Sequence, residues 1–236
     1  MRVLVPAGRA VVGQRASLDE GEAHHLRVRR AREDEGVEVL DGAGLVGTGR
    51  LVRVGADWMV DIQSAERLTR RPELTLAVAA GDRERFFWMA EKVVELGVTA
   101  IVPLETERTA GVATRFRRAH LDKLRRTTLE ATKQCGAAWA PRVDAPVVLD
   151  EFLRQPHDGK CWLADQGGAA PPPTLDRSPL TVVIGPEGGL SEAERSALLD
   201  AGYQPVALGY NTLRFETAAL AAAALATTAR MRGNHG

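Results

Sequence analysis

The sequence predicts an α/β protein with a smaller β-rich domain at its front, and two observations support this. From about residue 73, short apolar runs alternate with segments of helical periodicity, which is typical of a parallel sheet covered on both faces. Before about residue 65, the pattern consists of brief β-like runs that end in Gly or Asp. The pattern changes at ERLTRRPE, so we place the boundary near residues 66–73 and expect domains at 1–70 and 73–236.

The front domain contains three predicted strands and one predicted helix. The strands are VEVLDG, GRLVRVG and DWMVDIQ, and their short spacing favours a small barrel or sandwich made of hairpins. The segment EAHHLRVRRAR interrupts them and is predicted to be helical.

The second domain begins with the predicted strand LTLAVAA and the predicted helix RERFFWMAEKVVELG. Apolar residues recur in this helix at helical spacing, and Gly97 supplies its stop. VTAIVPL is the next strand, and RFRRAHLDKLRRTTLEATKQCG is a long helix. One stripe of that helix holds Leu121, Leu124, Thr128, Ala131 and Cys135.

Three further strands and two further helices complete the predicted domain. KCWLAD, LTVVIG and QPVALG are the strands, and SEAERSALLDAG and ETAALAAAALATTARMR are the helices. The Pro- and Gly-rich segment QGGAAPPPTLDRSP, residues 166–179, is predicted to be an exposed loop.

Composition excludes several classes of protein. Lys plus Arg total 31, as do Asp plus Glu, so any RNA binding must come from local patches. Cys135 and Cys161 have no metal-ligand spacing, and we expect buried free thiols in a reducing cytoplasm. The apolar run AALAAAALA is far shorter than the ~20 residues of a membrane span, and the N-terminus, interrupted by Arg9, does not fit a signal peptide. We therefore expect a soluble, cytoplasmic protein without a membrane partner.

A glycine-rich loop, IGPEGG, stands between a predicted strand and a predicted helix. It matches neither GxxxxGK[ST] nor GxGxxG, and Glu187 would repel a phosphate, so the sequence argues against a phosphate site. Ser191 and Glu194 form a predicted capping box that occupies the backbone donors at the helix start. Two alternatives stay open: a tight turn without a ligand, or a site for an uncharged or cationic ligand at the end of a parallel strand.

The following strand ends in a similar turn, YNTLRFETAAL. Glu216 falls at or near the start of the last helix, where the helix dipole favours a carboxylate, and Arg214 is a candidate partner for it. The Ala-rich helix can approach another backbone closely, either its own sheet or a second subunit.

IGPEGGLSEAE together with LGYNTLRFETAAL resembles the C-terminal half of the SPOUT class of RNA methyltransferases. Within this class, the chain is similar to the 16S ribosomal RNA uracil-N3 methyltransferase family. EKVVELGVTAIVPLETER, LEATKQCG and HHLRVRRAR followed by VLDG agree with it in order and spacing, so the resemblance spans nearly the whole chain. It implies an RNA-binding PUA-like β-barrel at residues 1–70 and a SPOUT α/β domain with a deep trefoil knot at 73–236.

The resemblance implies that three loops bind S-adenosylmethionine in a bent conformation, and that the chain forms a homodimer to which the last helix contributes. The implied cofactor-binding residues are Leu163, Ala164, Asp165, Ile184, Gly185, Pro186, Glu187, Gly188, Gly189, Leu208, Gly209, Thr212, Leu213 and Phe215.

The implied reaction is methylation of uracil N3 in 16S rRNA of the small ribosomal subunit, at the uridine usually numbered 1498 near the decoding centre. N3 carries a proton on the pairing edge, so the base must be unpaired or flipped and must lose that proton around the time of attack. Arg214 is the candidate cation for the resulting anion. Glu216 is the candidate base, and a purely structural helix-start acid is the alternative.

Two arginine-rich clusters would supply the positive surface that RNA binding needs. Such contacts position a structured RNA rather than read its sequence. His25 matches a histidine that opens the N-terminal helix of the family. The candidate RNA-binding residues are His25, Arg27, Arg29, Arg30 and Arg32 in the first domain and Arg117, Arg118, Arg125 and Arg126 in the second.

The chain departs from the family pattern where Ala137 and Asn211 replace two arginines, and where Ala79, Ala80 and Gly81 replace a Pro-Lys-Gly step. The cofactor loops are intact, so these departures concern the identity of the target nucleotide rather than methyl transfer itself. Two alternatives therefore stay open: a SPOUT methyltransferase acting on another RNA atom, such as a ribose oxygen, and a non-catalytic RNA-binding assembly factor. His24 and His25 are adjacent, His120, His157 and His235 are isolated, and no metal is implied.

Overall fold

The computed structural model describes residues 1–233, which form two compact units. The first comprises Met1–Arg70 and Leu129–Ala140, and the second comprises Arg71–Thr128 and the described residues from Pro141 onward. The predicted second domain included residues 129–140 and extended to residue 236. Residues 129–140 group with the first unit through side-chain contacts, such as the hydrogen bond that Trp139 Nε1 donates to Leu68 O at 3.0 Å. His235 lies outside the described residues.

The first unit is built on one five-stranded sheet. Its elements are β1 (Arg2–Leu4), β2 (Arg15–Ser17), α1 (Glu20–Val28), β3 (Gly36–Leu40), β4 (Leu45–Val54) and β5 (Asp57–Arg67). The strand order is β1-β3-β4-β5-β2, in which β1 runs parallel to β3 and the other neighbours are antiparallel. The predicted hairpins between β3, β4 and β5 are confirmed.

Alternating side chains of these strands form the core of the first unit, with Val39, Leu51 and Val60 fully buried. Helix α1 contributes Leu26 to this core and begins at Asp19, whose carboxylate accepts a hydrogen bond from the Glu22 amide. The predicted helix at 22–32 ends early, at Val28, because only Leu26 and Glu22 of α1 are buried and Arg30 adopts a left-handed backbone conformation (φ 56°).

The second unit contains a seven-stranded parallel sheet with helices between its strands. Its elements are β6 (Leu74–Ala79), α2 (Arg83–Glu95), β7 (Ala100–Glu105), α3 (Glu107–Ala110), α4 (Leu121–Cys135, whose last residues belong to the first unit), β8 (Arg142–Val143), β9 (Val147–Val148), α5 (Leu149–Leu153), β10 (Lys160–Ala169), β11 (Leu180–Ile184), α6 (Glu192–Asp200), β12 (Gln204–Val206) and α7 (Phe215–Gly233). A 3-10 turn at Arg118–His120 precedes α4. The strand order is β12-β10-β11-β6-β7-β8, and β9 pairs with β7.

Two buried clusters cover the two faces of this sheet, as the alternation of strands and helices predicts. On one face, Leu76 and Val182 pack with residues of α2 and α7. On the other face, Ala77 and Val183 pack with Leu198 of α6 and with residues of α5. All described neighbours in the sheet pair in parallel, so the predicted parallel sheet is confirmed.

The Ala-rich helix α7 uses its small side chains inside its own unit. Ala219, Ala222, Ala223 and Ala226 are fully buried in the same cluster as α2. Of the two alternatives for this helix, the structure therefore shows close approach to its own unit. The exposed part of α7 includes Leu225 and Met231.

The structure corrects two expectations about burial and loop extent. Cys135 is exposed and Cys161 is half-buried, so the predicted burial of both thiols is wrong. Cys135 is the last residue of α4, directly before the left-handed Gly136 (φ 75°), and the buried part of the predicted apolar stripe ends at Ala131. The predicted loop at 166–179 begins later, because β10 continues to Ala169, which pairs with Val206.

Short elements were missed from the sequence. The missed elements are β1, β2, α3, β8, β9 and α5, each of five residues or fewer. Such segments carry too few residues for a periodic pattern. No helix within residues 1–233 is long and apolar enough to cross a membrane. The trefoil knot stays a prediction.

Candidate active site

One cavity of about 360 Å³ lies at the carboxyl ends of strands β10, β11 and β12. Three segments that are distant in sequence form its walls: residues 163–166 lie within β10, and the other two segments follow β11 and β12. The structure brings together every predicted cofactor-binding residue in its lining except Gly188. The lining residues that the prediction did not include are Gln166, Leu190, Arg195, Asn211 and Ala218.

The wall after β11 is the loop Ile184–Gly189. Gly189 has φ 73°, a conformation that favours glycine, and its amide donates to Pro186 O at 2.8 Å, which closes a tight turn. At Gly185, a Cβ atom would lie 3.2 Å from Leu190 Cγ, so a larger side chain would press on the start of the next helix.

The capping box predicted for α6 is present. The Ser191 amide donates to Glu194 Oε2 at 2.8 Å, and the Glu194 amide donates to Ser191 Oγ at 3.3 Å. Because these donors are used locally, they are not available to a phosphate, which agrees with the argument from the sequence against a phosphate site.

The short helix α3 holds the glycine loop from outside. The Arg108 guanidinium donates to Gly188 O, and the Glu107 amide donates to Glu194 Oε1 at 2.7 Å. These two contacts fix both ends of the turn between β11 and α6, so the position of the cavity wall depends on α3.

The wall after β12 is held by a single glutamine from β10. Gln166 Nε2 donates to Tyr210 O at 3.3 Å, and Thr212 Oγ1 donates to Gln166 Oε1 at 2.9 Å. Both functional groups of the Gln166 amide are thus used to hold the loop that carries Gly209 and Leu213 into the cavity.

Two carboxylates line the cavity, and one of them is paired with an arginine of the same lining. Asp165 Oδ2 lies 2.8 Å from Arg195 Nε, and Asp165 Oδ1 accepts from the Gly167 amide at 2.8 Å. Burial alone would raise the pKa of Asp165, but the Gly167 and Arg195 hydrogen bonds outweigh it and lower the pKa of this carboxyl. Glu187 is exposed, and its Oε2 accepts from the Gly81 amide at 3.4 Å.

The predicted pair between Arg214 and Glu216 is wrong. Glu216 is buried at the first turn of α7, and its Oε1 lies 2.8 Å from Arg85 Nη1 on α2. The other oxygen, Oε2, is buried without a hydrogen-bond partner. Arg214 is exposed, and its side chain has no ion pair within the described residues. Neither residue is part of the cavity lining.

All nine candidate RNA-binding residues are accessible. They are His25, Arg27, Arg29, Arg30 and Arg32 in the first unit and Arg117, Arg118, Arg125 and Arg126 in the second, and each is exposed. His25 lies in the last turn of α1, so it does not open this helix. Arg125 has a distant partner in Asp122 at 3.7 Å, and exposed pairs of this kind contribute little to stability.

Both positions where the chain lacks a family arginine are surface positions. Asn211 is exposed and lines the cavity, while Ala137 is partly exposed in the first unit. Within residues 1–233, no three His, Cys, Asp or Glu side chains come together as possible metal ligands.

Glycine-containing loops at the carboxyl ends of β11 and β12 enclose one site with β10, and the fold is that of known RNA methyltransferases. The crystal structure of Ribosomal RNA small subunit methyltransferase E from Neisseria gonorrhoeae, bound to S-adenosylmethionine, has the same fold, with a TM-score of 0.83 and 30% sequence identity over 94% of each chain.

Two family models match the chain, an RNA methyltransferase PUA domain at residues 18–57 and an RNA methyltransferase domain at residues 69–227. Ribosomal RNA small subunit methyltransferase E of Synechocystis is 30% identical over 226 residues, which cover 91% of this chain and 73% of that protein. The protein of the same name from Mycobacterium tuberculosis is also 30% identical, over 86% of this chain and 82% of its own. The chain belongs to the RNA methyltransferase family, and it is an RNA methyltransferase with a PUA domain.

Proposed function

We propose that this protein transfers a methyl group from S-adenosylmethionine to N3 of one uracil in the 16S rRNA of the small ribosomal subunit. The observation that supports this most directly is the convergence of a β10 segment and two strand-end loops on one cavity in a member of the RNA methyltransferase family. The cofactor supplies a methyl group on a positively charged sulfur, which needs no further activation.

The residues of the cavity fit this cofactor. Leu190, Leu208 and Leu213 are partly accessible side chains of the lining that offer apolar walls to a flat ring, and the glycines of the loops expose backbone hydrogen-bonding groups. Asp165 is ion-paired with Arg195, which also lines the cavity, so the carboxylate available to a cationic ligand is that of the exposed Glu187. The negative charge of Glu187, which would repel a phosphate, is compatible with a positively charged sulfonium.

The reaction forms a bond between N3 and the methyl carbon and breaks the bond between that carbon and sulfur. The N3 proton must pass to a base or to water around the time of attack, and the negative charge left on the uracil oxygens must be stabilised. We propose Arg214 for this stabilisation, because it follows a cavity wall, is exposed and has no ion pair within residues 1–233.

For Glu216, the geometry supports the structural alternative rather than the role of base. Its carboxylate is buried, engaged by Arg85 and outside the cavity lining. A general base must come within hydrogen-bond reach of the proton that it removes. We therefore assign Glu216 to holding the start of α7 against α2.

RNA binding is proposed to use the two exposed arginine clusters defined above. Contacts between arginine and phosphate oxygens position an RNA without reading its sequence, and they weaken steeply with salt. A PUA domain at residues 18–57 supports placing the first cluster, Arg27 to Arg32, on the RNA.

The homodimer is likewise a proposal. The buried alanines of α7 are already used within its own unit, so a second copy would have to contact the exposed part of the helix around Leu225 and Met231. Light scattering on the purified protein measures the molar mass, and a value near the 25.4 kDa of one chain would reject the dimer.

The decisive experiment is deletion of the gene followed by mass spectrometry of the small-subunit rRNA. We expect the loss of one base-methylated uridine and its return when the gene is restored. Loss of a ribose-methylated nucleotide instead would favour the alternative RNA target. No change in methylation, combined with absence of S-adenosylmethionine binding in calorimetry, would favour the non-catalytic assembly factor.

A further inference from the structure

Tyr210 is the most exposed large hydrophobic residue of the described chain. Its side chain is fully accessible, at 101% of the reference value, although it lies between Gly209 and Asn211, which both line the cavity. Most other aromatic rings are buried, and Trp88 on α2 is only about half exposed, at 48%. An aromatic ring that projects from the rim of a site is available to a ligand.

The backbone that carries this ring is fixed. Gln166 donates to Tyr210 O at 3.3 Å and accepts from Thr212 Oγ1 at 2.9 Å. One residue before Tyr210, the Cα of Gly209 packs close to the Leu213 side chain, where a Cβ atom would lie 3.6 Å from Leu213 Cδ1. The ring therefore projects from a held loop, which lowers the entropic cost of placing a ligand against it.

A uracil whose N3 is methylated must leave its base stack, which costs a few kcal/mol, and a protein offsets this by stacking the base on an aromatic side chain. Phe215 is the only aromatic residue of the described chain in the cavity lining, and its ring is 2% exposed and belongs to the core. It offers no free face to a base. Tyr210 is the aromatic residue at this rim whose face is free.

We propose that the Tyr210 ring is the stacking surface that holds the target nucleobase over the cavity, which makes Tyr210 a positioning residue for methyl transfer. This inference rests on the proposed function. It assigns to the residue no contact with S-adenosylmethionine, because Tyr210 itself is not part of the cavity lining. The hydroxyl group has no assigned role, so the variant Tyr210→Phe should keep the activity of the wild type.

The test compares three full-length variants, Tyr210→Ala, Tyr210→Phe and Trp88→Ala, as purified proteins. Methyl transfer is measured from labelled S-adenosylmethionine to small ribosomal subunits that lack the modification, and cofactor affinity is measured by calorimetry. When an aromatic residue on which a base stacks is truncated to alanine, the affinity for the nucleic acid falls by about 5- to 150-fold. We expect a loss of this size in kcat/KM for the RNA with Tyr210→Ala, and changes within about twofold with the other two variants.

Affinity for S-adenosylmethionine, the melting temperature and the molar mass of the protein should be the same in Tyr210→Ala and the wild type. Unchanged kcat/KM in this variant would overturn the proposal while leaving the proposed function intact. An equal loss in Tyr210→Phe would show that the hydroxyl group acts instead of the ring. A change in molar mass would show that a second copy of the chain covers the ring. If the wild type itself transfers no methyl group to the RNA, the proposed function fails and this inference fails with it.

Discussion

The ion pair between Arg85 and Glu216 permits a direct test of whether Glu216 is a base or a structural acid. Glu216→Gln keeps the shape of the side chain and one oxygen acceptor for Arg85, but it removes the charge. If the residue is structural, this change lowers stability and leaves the chemical step nearly intact. If the residue is the base, this change leaves stability nearly intact and strongly lowers the rate of the chemical step.

The magnitude follows from burial and distance. Glu216 is 8% exposed, and its Oε1 lies 2.8 Å from Arg85 Nη1. Two unit charges about 4 Å apart interact by about 4 kcal/mol at an effective dielectric constant of 20. The Arg85 side chain is 41% exposed, so solvent screening reduces this value, and neutralising the carboxylate also removes its desolvation cost. We therefore expect a net loss of about 2 kcal/mol, with a melting temperature lower by roughly 4–8 °C.

The assay combines thermal unfolding with steady-state methyl transfer for Glu216→Gln, Arg85→Met and the double variant. The double-mutant cycle isolates the pair, and Glu192→Gln is the matched control because Glu192 is an exposed glutamate in the first turn of α6. The control should change stability by less than about 1 kcal/mol. Removal of a general base typically costs 10²–10⁴-fold in rate. A loss in that range with an unchanged melting temperature would refute the structural assignment.

Three further predictions concern the cavity and the RNA surface. Arg108→Ala removes the donor to Gly188 O. It should weaken S-adenosylmethionine binding by about tenfold in calorimetry, which is the effect of losing a charge-assisted hydrogen bond. An unchanged Kd would show that the glycine loop keeps its conformation without Arg108. Because the folded-state pKa of Asp165 is lowered, its pair with Arg195 contributes stability above the unfolded pKa of about 3.9 and loses it as pH falls through the lower folded value. Asp165→Asn should therefore reduce the acid-induced loss of stability in pH-dependent melting, and a curve identical to the wild type would contradict this. Arg126→Gln should lower the slope of log affinity for RNA against log salt by about one if the guanidinium contacts a phosphate, and an unaltered slope would remove this residue from the interface.

Local patterns were sufficient for much of the fold. The period of the apolar residues placed most strands and the longer helices of the second unit, the Ser191 and Glu194 pair set the start of α6, and Gly97, with φ 86°, ended α2. Each of these signals depends on residues within one or two turns of each other, so it can be read without knowledge of the fold. The cavity walls could be assigned because two of them follow directly after strands and because their motifs resemble those of a known family.

Only the tertiary structure decided which distant residues meet. Arg85 and Glu216 are 131 positions apart, and the sequence suggested the nearby Arg214 as the partner instead. Gln166 of β10 contacts the loop between β12 and α7, and Arg195 of α6 contacts Asp165 of β10. No local sequence pattern identifies either residue as part of the site. The assignment of residues 129–140 to the first unit has the same origin. The sequence by itself determined the longer elements and the loops that carry the site. The pairing of charges and the anchoring of those loops depend on the order in which distant parallel strands lie in the sheet, and a local periodic pattern contains no information about that order.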